Sequence, residues 1–110
     1  TCIRDYVHVS DLVDAHVTGL DWLLSEKGSR VFNLGTGTGF SVKEVMDQSG
    51  IVTNRSVPFE NGKRREGDCT KLVSGSRRAM EELGWQPTRS DMTTMIKDAW
   101  HWHQTGNYEA

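Results

Sequence analysis

Cysteine is close to absent from this 110-residue chain: Cys2 and Cys69 stand alone, without a Cys-x-x-Cys spacing or a second ligand pair. A disulfide framework and a zinc ribbon are thereby set aside, and two reduced thiols of a cytosolic protein are expected. No apolar run approaches the roughly 20 residues that a membrane helix needs, and no signal peptide is recognisable. The cytoplasm is therefore the expected location, with no membrane partner. A basic excess is missing too. The formal net charge is -2, whereas a general nucleic-acid binder carries a positive surplus. The cluster Lys63-Arg64-Arg65 is too short for a DNA-binding face, yet large enough for one diphosphate. Histidine is badly spaced for a metal: His101 and His103 lie two apart, so on a helix they point in different directions and cannot chelate as an i, i+4 pair would. Internal repeats, low-complexity tracts and long linkers are also lacking.

What is present suits one small α/β domain spanning 1–110. Hydrophobic residues make up 35% and charged residues 25%. The core is modest, since a chain of this size buries only about two-thirds of its unfolded surface. Cys2 to Val9 contains the strand formers Ile3, Tyr6, Val7 and Val9. Ser10 and Asp11 then predict a helix start, a capping oxygen followed by a carboxylate near the positive end of the dipole. Leu12, Ala15, His16, Gly19, Leu20 and Leu23 recur at helical spacing, with a stop at Lys27-Gly28. Arg30 to Leu34 reads as a short buried strand, and Gly35, Gly37 and Gly39 as a flexible loop.

Ser41 and Glu44 form an S-x-x-E capping box, which predicts a second helix ending by Gly50. Val57 to Phe59 is a candidate strand, confined by Pro58 to an edge or an end. Asn61 to Thr70 is polar and reads as a loop. A third helix is expected from about Ser76 to Leu83, with Gly84 in the left-handed terminal position, Trp85 packing back and Pro87 marking the break. Ser90 is the expected cap of the last helix, whose apolar stripe is Met92, Met95, Ile96, Ala99 and Trp102. The alternation predicts an α/β chain with about four helices and some parallel pairing. The start at Thr1, with Arg4, Asp5 and Tyr6 within six residues, predicts a fragment, a processed chain or a truncated reading frame.

Three motifs bear on chemistry. The loop Gly35-Thr36-Gly37-Thr38-Gly39-Phe40 follows a predicted strand and opens a helix, the context of a dinucleotide fingerprint. Phe40 stands where the third glycine of G-x-G-x-x-G belongs, and no P-loop lysine follows. The preferred reading is a turn that lets the backbone pass close to a neighbour; the helix behind it would offer free N–H groups from Val42 onward. The run Lys63-Arg64-Arg65-Glu66-Gly67-Asp68 supplies guanidinium forks for phosphate oxygens, a turn at Gly67, and in Asp68 an acceptor for ribose hydroxyls. Taken alone, such a cluster is more often solvated surface. In Arg4-Asp5-Tyr6-Val7-His8-Val9, alternation puts Arg4 and Tyr6 on one face of a strand, able to address one ligand. An edge strand with an ordinary surface arginine is the alternative, and His8, on the other phase, is expected to be structural.

Read in order, Arg4-Asp5-Tyr6-Val7-His8-Val9-Ser10-Asp11-Leu12, Phe32-Asn33-Leu34-Gly35-Thr36-Gly37 and Arg64-Arg65-Glu66-Gly67-Asp68 form a specific set, strengthened by Glu82-Leu83-Gly84-Trp85 and Asp98-Ala99-Trp100-His101-Trp102. From Thr1 to about His103 the chain resembles the UDP-glucose 4-epimerase family of extended short-chain dehydrogenases/reductases. The resemblance implies the carboxyl-terminal, UDP-sugar-binding part of an NAD-dependent isomerase that interconverts UDP-glucose and UDP-galactose. It also implies that the Rossmann part, with its NAD fingerprint and Tyr-x-x-x-Lys pair, lies outside this chain. By that likeness Arg4 and Arg65 bind the diphosphate, Tyr6 lines the nucleotide site, Val42 makes a contact after the glycine loop, and Asp68 meets the ribose. NAD is then expected in the complete enzyme and in none of the isolated chain, which is expected to be inactive alone.

Lys63, Leu72, Gly75 and Gly50 depart from the family's usual residues, which bears on the sugar accepted. Other nucleotide-sugar epimerases, dehydratases or decarboxylases are alternatives, as is a non-catalytic relative acting as a binding or assembly module. A homo-oligomer is expected, because Val31 to Leu34 would leave an unpaired edge.

Overall fold

The computed structural model describes residues 1–106. Seven elements follow one another: β1 (Ile3–Arg4), α1 (Val9–Leu24), β2 (Phe40–Ser41), α2 (Val42–Thr53), β3 (Lys71–Leu72), α3 (Arg77–Leu83) and α4 (Met92–Thr105). This is an α/β arrangement of four helices on a small three-stranded sheet of order β2-β1-β3. The central strand pairs antiparallel with β2, Arg4 opposite Phe40, and parallel with β3, Arg4 opposite Leu72. Helix α2 packs on α4, and α1 on α3.

The order of strands and helices matches expectation, but two strands lie elsewhere. Arg30 to Leu34 belongs to no strand, and Val31 is 72% exposed rather than buried. A strand needs a neighbour for its backbone, and the sheet of the described residues offers it none. Val57 to Phe59 likewise forms no strand; the third strand is Lys71–Leu72 instead. β1 is also shorter than the predicted Cys2–Val9 run, ending at Arg4.

Helix boundaries shift for reasons of tertiary contact. Ser10 does not cap α1. The cap is His8, whose Nδ1 accepts from Ser10 N at 3.0 Å. His8 is structural, as expected: its N–H donates to Ser90 Oγ at 2.9 Å, and its Nε2 lies 2.9 Å from Asp98 Oδ2. Ser90 does not cap α4 either, because its hydroxyl is committed to Asp11 Oδ2. Asp91 takes over, accepting from Thr94 N at 2.9 Å. α1 stops at Leu24, earlier than Lys27-Gly28. The capping box of α2 is present as expected, with Ser41 Oγ accepting from Glu44 N at 3.1 Å and Glu44 Oε2 accepting from Ser41 N at 2.7 Å. The helix runs past Gly50 to Thr53, where Asn54 turns left-handed at φ 52°. Gly84 (φ 65°) closes α3.

The core is small. Ala15 of α1, Ala79 of α3, Trp85 and Met92 are its buried apolar residues, and Val7, Phe32, Leu34 and Leu83 pack against the first three. Trp85 does fold back, with its indole N–H donating to the Asp11 carbonyl at 2.7 Å. The α4 stripe is only partly used: Met92 is buried and Met95 and Ile96 half-buried, while Ala99 and Trp102 are exposed. The radius of gyration is 16.8 Å, against about 13 Å for a compact chain of similar length.

Candidate functional site

One open cleft of about 650 Å³ collects the basic loop, the start of α2 and the end of β1. β1 delivers Arg4 because its two neighbours fix that residue in mid-sheet. The Arg4 guanidinium is further held by donating to the carbonyls of Ile3 (2.9 Å) and Cys69 (3.0 Å). The basic loop turns at Gly67, whose φ of 83° is the left-handed conformation that glycine adopts without penalty. Asp68 N–H closes that turn onto the Arg65 carbonyl at 3.4 Å.

The turn brings Asp68 between two arginines. Arg65 Nε donates to Asp68 Oδ2 at 3.1 Å, and Arg4 Nη2 stands 3.9 Å from Asp68 Oδ1. Arg65 is mostly exposed, whereas Arg4 and Asp68 are half-buried. Lys63 and Arg64 add to the positive side of the same cleft, with Glu60 and Asp68 as its carboxylates. The surplus is cationic, which suits an oxyanion.

Of the five residues singled out from sequence, Arg4, Val42, Arg65 and Asp68 line this one cleft. Tyr6 does not. It lies beyond the end of β1, half-buried, so strand alternation does not carry it to the side of Arg4. Met46, Phe59 and Asn61 line the cleft without having been singled out. Met46 sits one turn after Val42, so the spacing alone could have found it. Phe59 and Asn61 lie in irregular backbone that no periodicity reports.

The N–H groups at the start of α2 are not free for a ligand, contrary to expectation. Val42 N–H donates to the Cys2 carbonyl at 3.1 Å, and Lys43 N–H to Thr1 Oγ1 at 2.9 Å. The glycine loop is also committed internally. Asp5 Oδ1 accepts from Thr36 N–H (2.9 Å) and Thr36 Oγ1 (2.6 Å), and its Oδ2 accepts from Gly37 and Ser74 N–H, both at 3.1 Å. Burial pushes the Asp5 carboxyl up, but these four hydrogen bonds outweigh it and hold the group below the usual carboxylate range. The neighbour that the glycine loop approaches is thus Asp5 together with Ser74. A Cβ on Gly35 would meet Asp5 Oδ2 and Ser74 Cβ, both at 2.6 Å. These residues therefore do not fit a dinucleotide pyrophosphate.

Cys2 and Cys69 are free thiols. Among the described residues no group of three or more His, Cys, Asp or Glu side chains is placed to hold a metal ion. No helix among them is long and apolar enough to cross a membrane.

Comparison with known proteins gives this geometry a context. No family model matches the chain. A UDP-glucose 4-epimerase of Rhizobium meliloti (strain 1021) is 46% identical over 107 residues, 97% of this chain and 32% of that protein. A second, from Halalkalibacterium halodurans, is 44% identical over 104 residues. A crystal structure of a UDP-glucose 4-epimerase superposes on the whole chain with a TM-score of 0.94 at 49% identity. Along its whole length the chain is similar to part of a UDP-glucose 4-epimerase. The enzyme from Stenotrophomonas maltophila, solved with bound NAD and formylated UDP-arabinopyranose, matches with a TM-score of 0.88 at 40% identity over 94% of the chain. The chain spans about a third of the length of the relatives and structures it matches: 32% of the Rhizobium meliloti epimerase and 34% of the first crystal structure.

Proposed function

We propose that this chain is the UDP-sugar-holding, carboxyl-terminal part of a UDP-glucose 4-epimerase, a single domain over 1–110 working in the cytoplasm. Arg65 and Arg4 clamp the diphosphate, Asp68 orients the ribose, and Val42 packs at the mouth of the cleft. Tyr6 keeps its place at the nucleotide site on family likeness alone. The observation that carries the reading is the convergence of Arg4 and Arg65, from elements far apart in sequence, on the one carboxylate of Asp68. A pair of guanidinium groups aimed at a single anionic point suits a diphosphate, whose oxygens accept forked hydrogen bonds. UDP-glucose and UDP-galactose are the substrates in this reading. NAD supplies the hydride chemistry when bound in the complete enzyme, and the residues of this chain contribute substrate binding to it.

Calorimetric titration with UDP tests the clamp. Arg65→Ala is expected to weaken binding by about 1.5–3 kcal/mol, the range of a hydrogen bond to a charged group. Arg65→Lys should recover only part, because an ammonium cannot reproduce the fork. His101→Ala, on the exposed side of α4, should bind as the parent does. Equal affinity of Arg65→Ala and the parent chain would return the basic loop to solvated surface.

A further inference from the structure

The cleft meets a ligand with a counter-charge already in place. All three arginines that line it turn toward Asp68. Arg65 Nε donates to Oδ2, Arg4 Nη2 faces Oδ1, and Arg64 Nη2 donates to the Asp68 carbonyl at 3.4 Å. The Nη1 end of Arg4 is committed to the carbonyls of Ile3 and Cys69, so the Nη2 end is the one left, and Asp68 stands at it. A diphosphate that takes over Arg65 and Arg4 therefore strips this carboxylate of its partners and gives it a neighbour of its own sign. A unit charge about 6 Å from a dianion lowers the affinity for that dianion by about tenfold, even at the dielectric of water. Ionised phosphate oxygens accept hydrogen bonds and offer none in return. Hydroxyl groups donate, and the carboxylate has two oxygens to receive them.

We infer that Asp68 is a specificity gate, which holds the cleft against bare oxyanions such as pyrophosphate and admits a diphosphate only together with hydroxyls that satisfy its carboxylate. The inference rests on the UDP-sugar reading and gives Asp68 a second task, exclusion alongside orientation. The two sides of the contact are held unequally, as a gate requires. Arg65 is 84% exposed, and Asp68 is its only side-chain partner among the described residues, so it is free to swing to a ligand. Asp68 is anchored through its main chain, by its own N–H on the Arg65 carbonyl and by Arg64 on its carbonyl. Its carboxylate therefore stays in the cleft when Arg65 leaves, and faces whatever has drawn Arg65 away.

The test is calorimetry of the chain with pyrophosphate, UDP and 2′,3′-dideoxy-UDP, at low ionic strength and without magnesium. Asp68→Asn removes the charge and keeps the size of the side chain. It is expected to bind pyrophosphate and the dideoxy nucleotide about tenfold more tightly than the parent does. Its affinity for UDP should not rise, because the hydroxyls lose their charged acceptor as the repulsion is lifted. Asp68→Ala should give the same split, which assigns the effect to the charge rather than to the new amide. Circular dichroism checks that both variants keep their helices. A purely structural Asp68 would weaken all three ligands when replaced, and a simple ribose contact would leave pyrophosphate unmoved. Either result, no binding of pyrophosphate by either variant, or an equal gain for UDP would overturn the gate. The clamp is read separately, by Arg65→Ala with UDP, and can stand while the gate fails.

Discussion

Asp5 shows how much a single side chain organises here. Its four hydrogen bonds tie β1 to the glycine loop and to Ser74, and thereby set the frame from which Arg4 reaches the cleft. Asp5→Asn puts an amide donor among backbone donors and is expected to lower stability by about 1–3 kcal/mol at neutral pH. The sign of the pH effect follows from the depressed folded value. The contribution of Asp5 is complete above the ordinary carboxylate range and is lost as pH falls through the folded pKa. Urea unfolding of parent and variant should therefore differ most at pH 7 and draw together only as the pH falls below the ordinary carboxylate range; a constant difference would place the effect elsewhere. Asp68 works by a different balance. Exposed ion pairs are worth about 0–1 kcal/mol, so its hold on the exposed Arg65 is loose enough for a diphosphate to displace. The residues that sequence made legible are those whose chemistry is local: the turn at Gly67 and the charges of the basic loop. Asp11 was legible only as a helix-start carboxylate. Its burial against Arg89 and Ser90, with Oδ1 left unpartnered among the described residues, depends on residues nearly eighty positions away.

Among the elements, helices were far more legible than strands. α2 announced itself through Ser41-x-x-Glu44, because both halves of a capping box lie within four residues. Gly84 ended α3 for an equally local reason, its left-handed φ. Strands of two residues carry no period at all, and β2 and β3 exist only because β1 lies between them. The segment Arg30 to Leu34 has strand-like composition but no neighbouring strand here, so its sequence signal had nothing to act on. The capping box gives a direct test. Ser41→Ala should cost about 1 kcal/mol and fray the first turn of α2, the turn that presents Val42 to the cleft. Amide exchange at Lys43 and Glu44 should accelerate by about fivefold or more, with α1 unaffected. Unchanged exchange there would mean that packing on α4 alone fixes the helix start.

For the molecule as a whole, the proposed reading gives this chain the substrate cleft and leaves the hydride chemistry to the complete enzyme. Hydride transfer needs a nicotinamide and a positioned acid/base, and the glycine loop, whose sequence context is that of a dinucleotide fingerprint, is committed to Asp5. The purified chain, supplied with NAD and UDP-galactose, is therefore expected to form no UDP-glucose in a coupled assay; measurable turnover would refute that. The small core has a separate thermodynamic consequence. Unfolding can expose only surface that folding has hidden, and here much of the apolar surface of α1 and Val31 is already wet. The dependence of stability on urea should then be shallow, with a slope at or below about 1 kcal/mol per molar, the bottom of the range for small domains. The heat-capacity increment on melting should be correspondingly small, and the thermal transition broad. Covering the outer face of α1 would steepen both, so the sharpness of melting becomes a gauge of how complete the fold is.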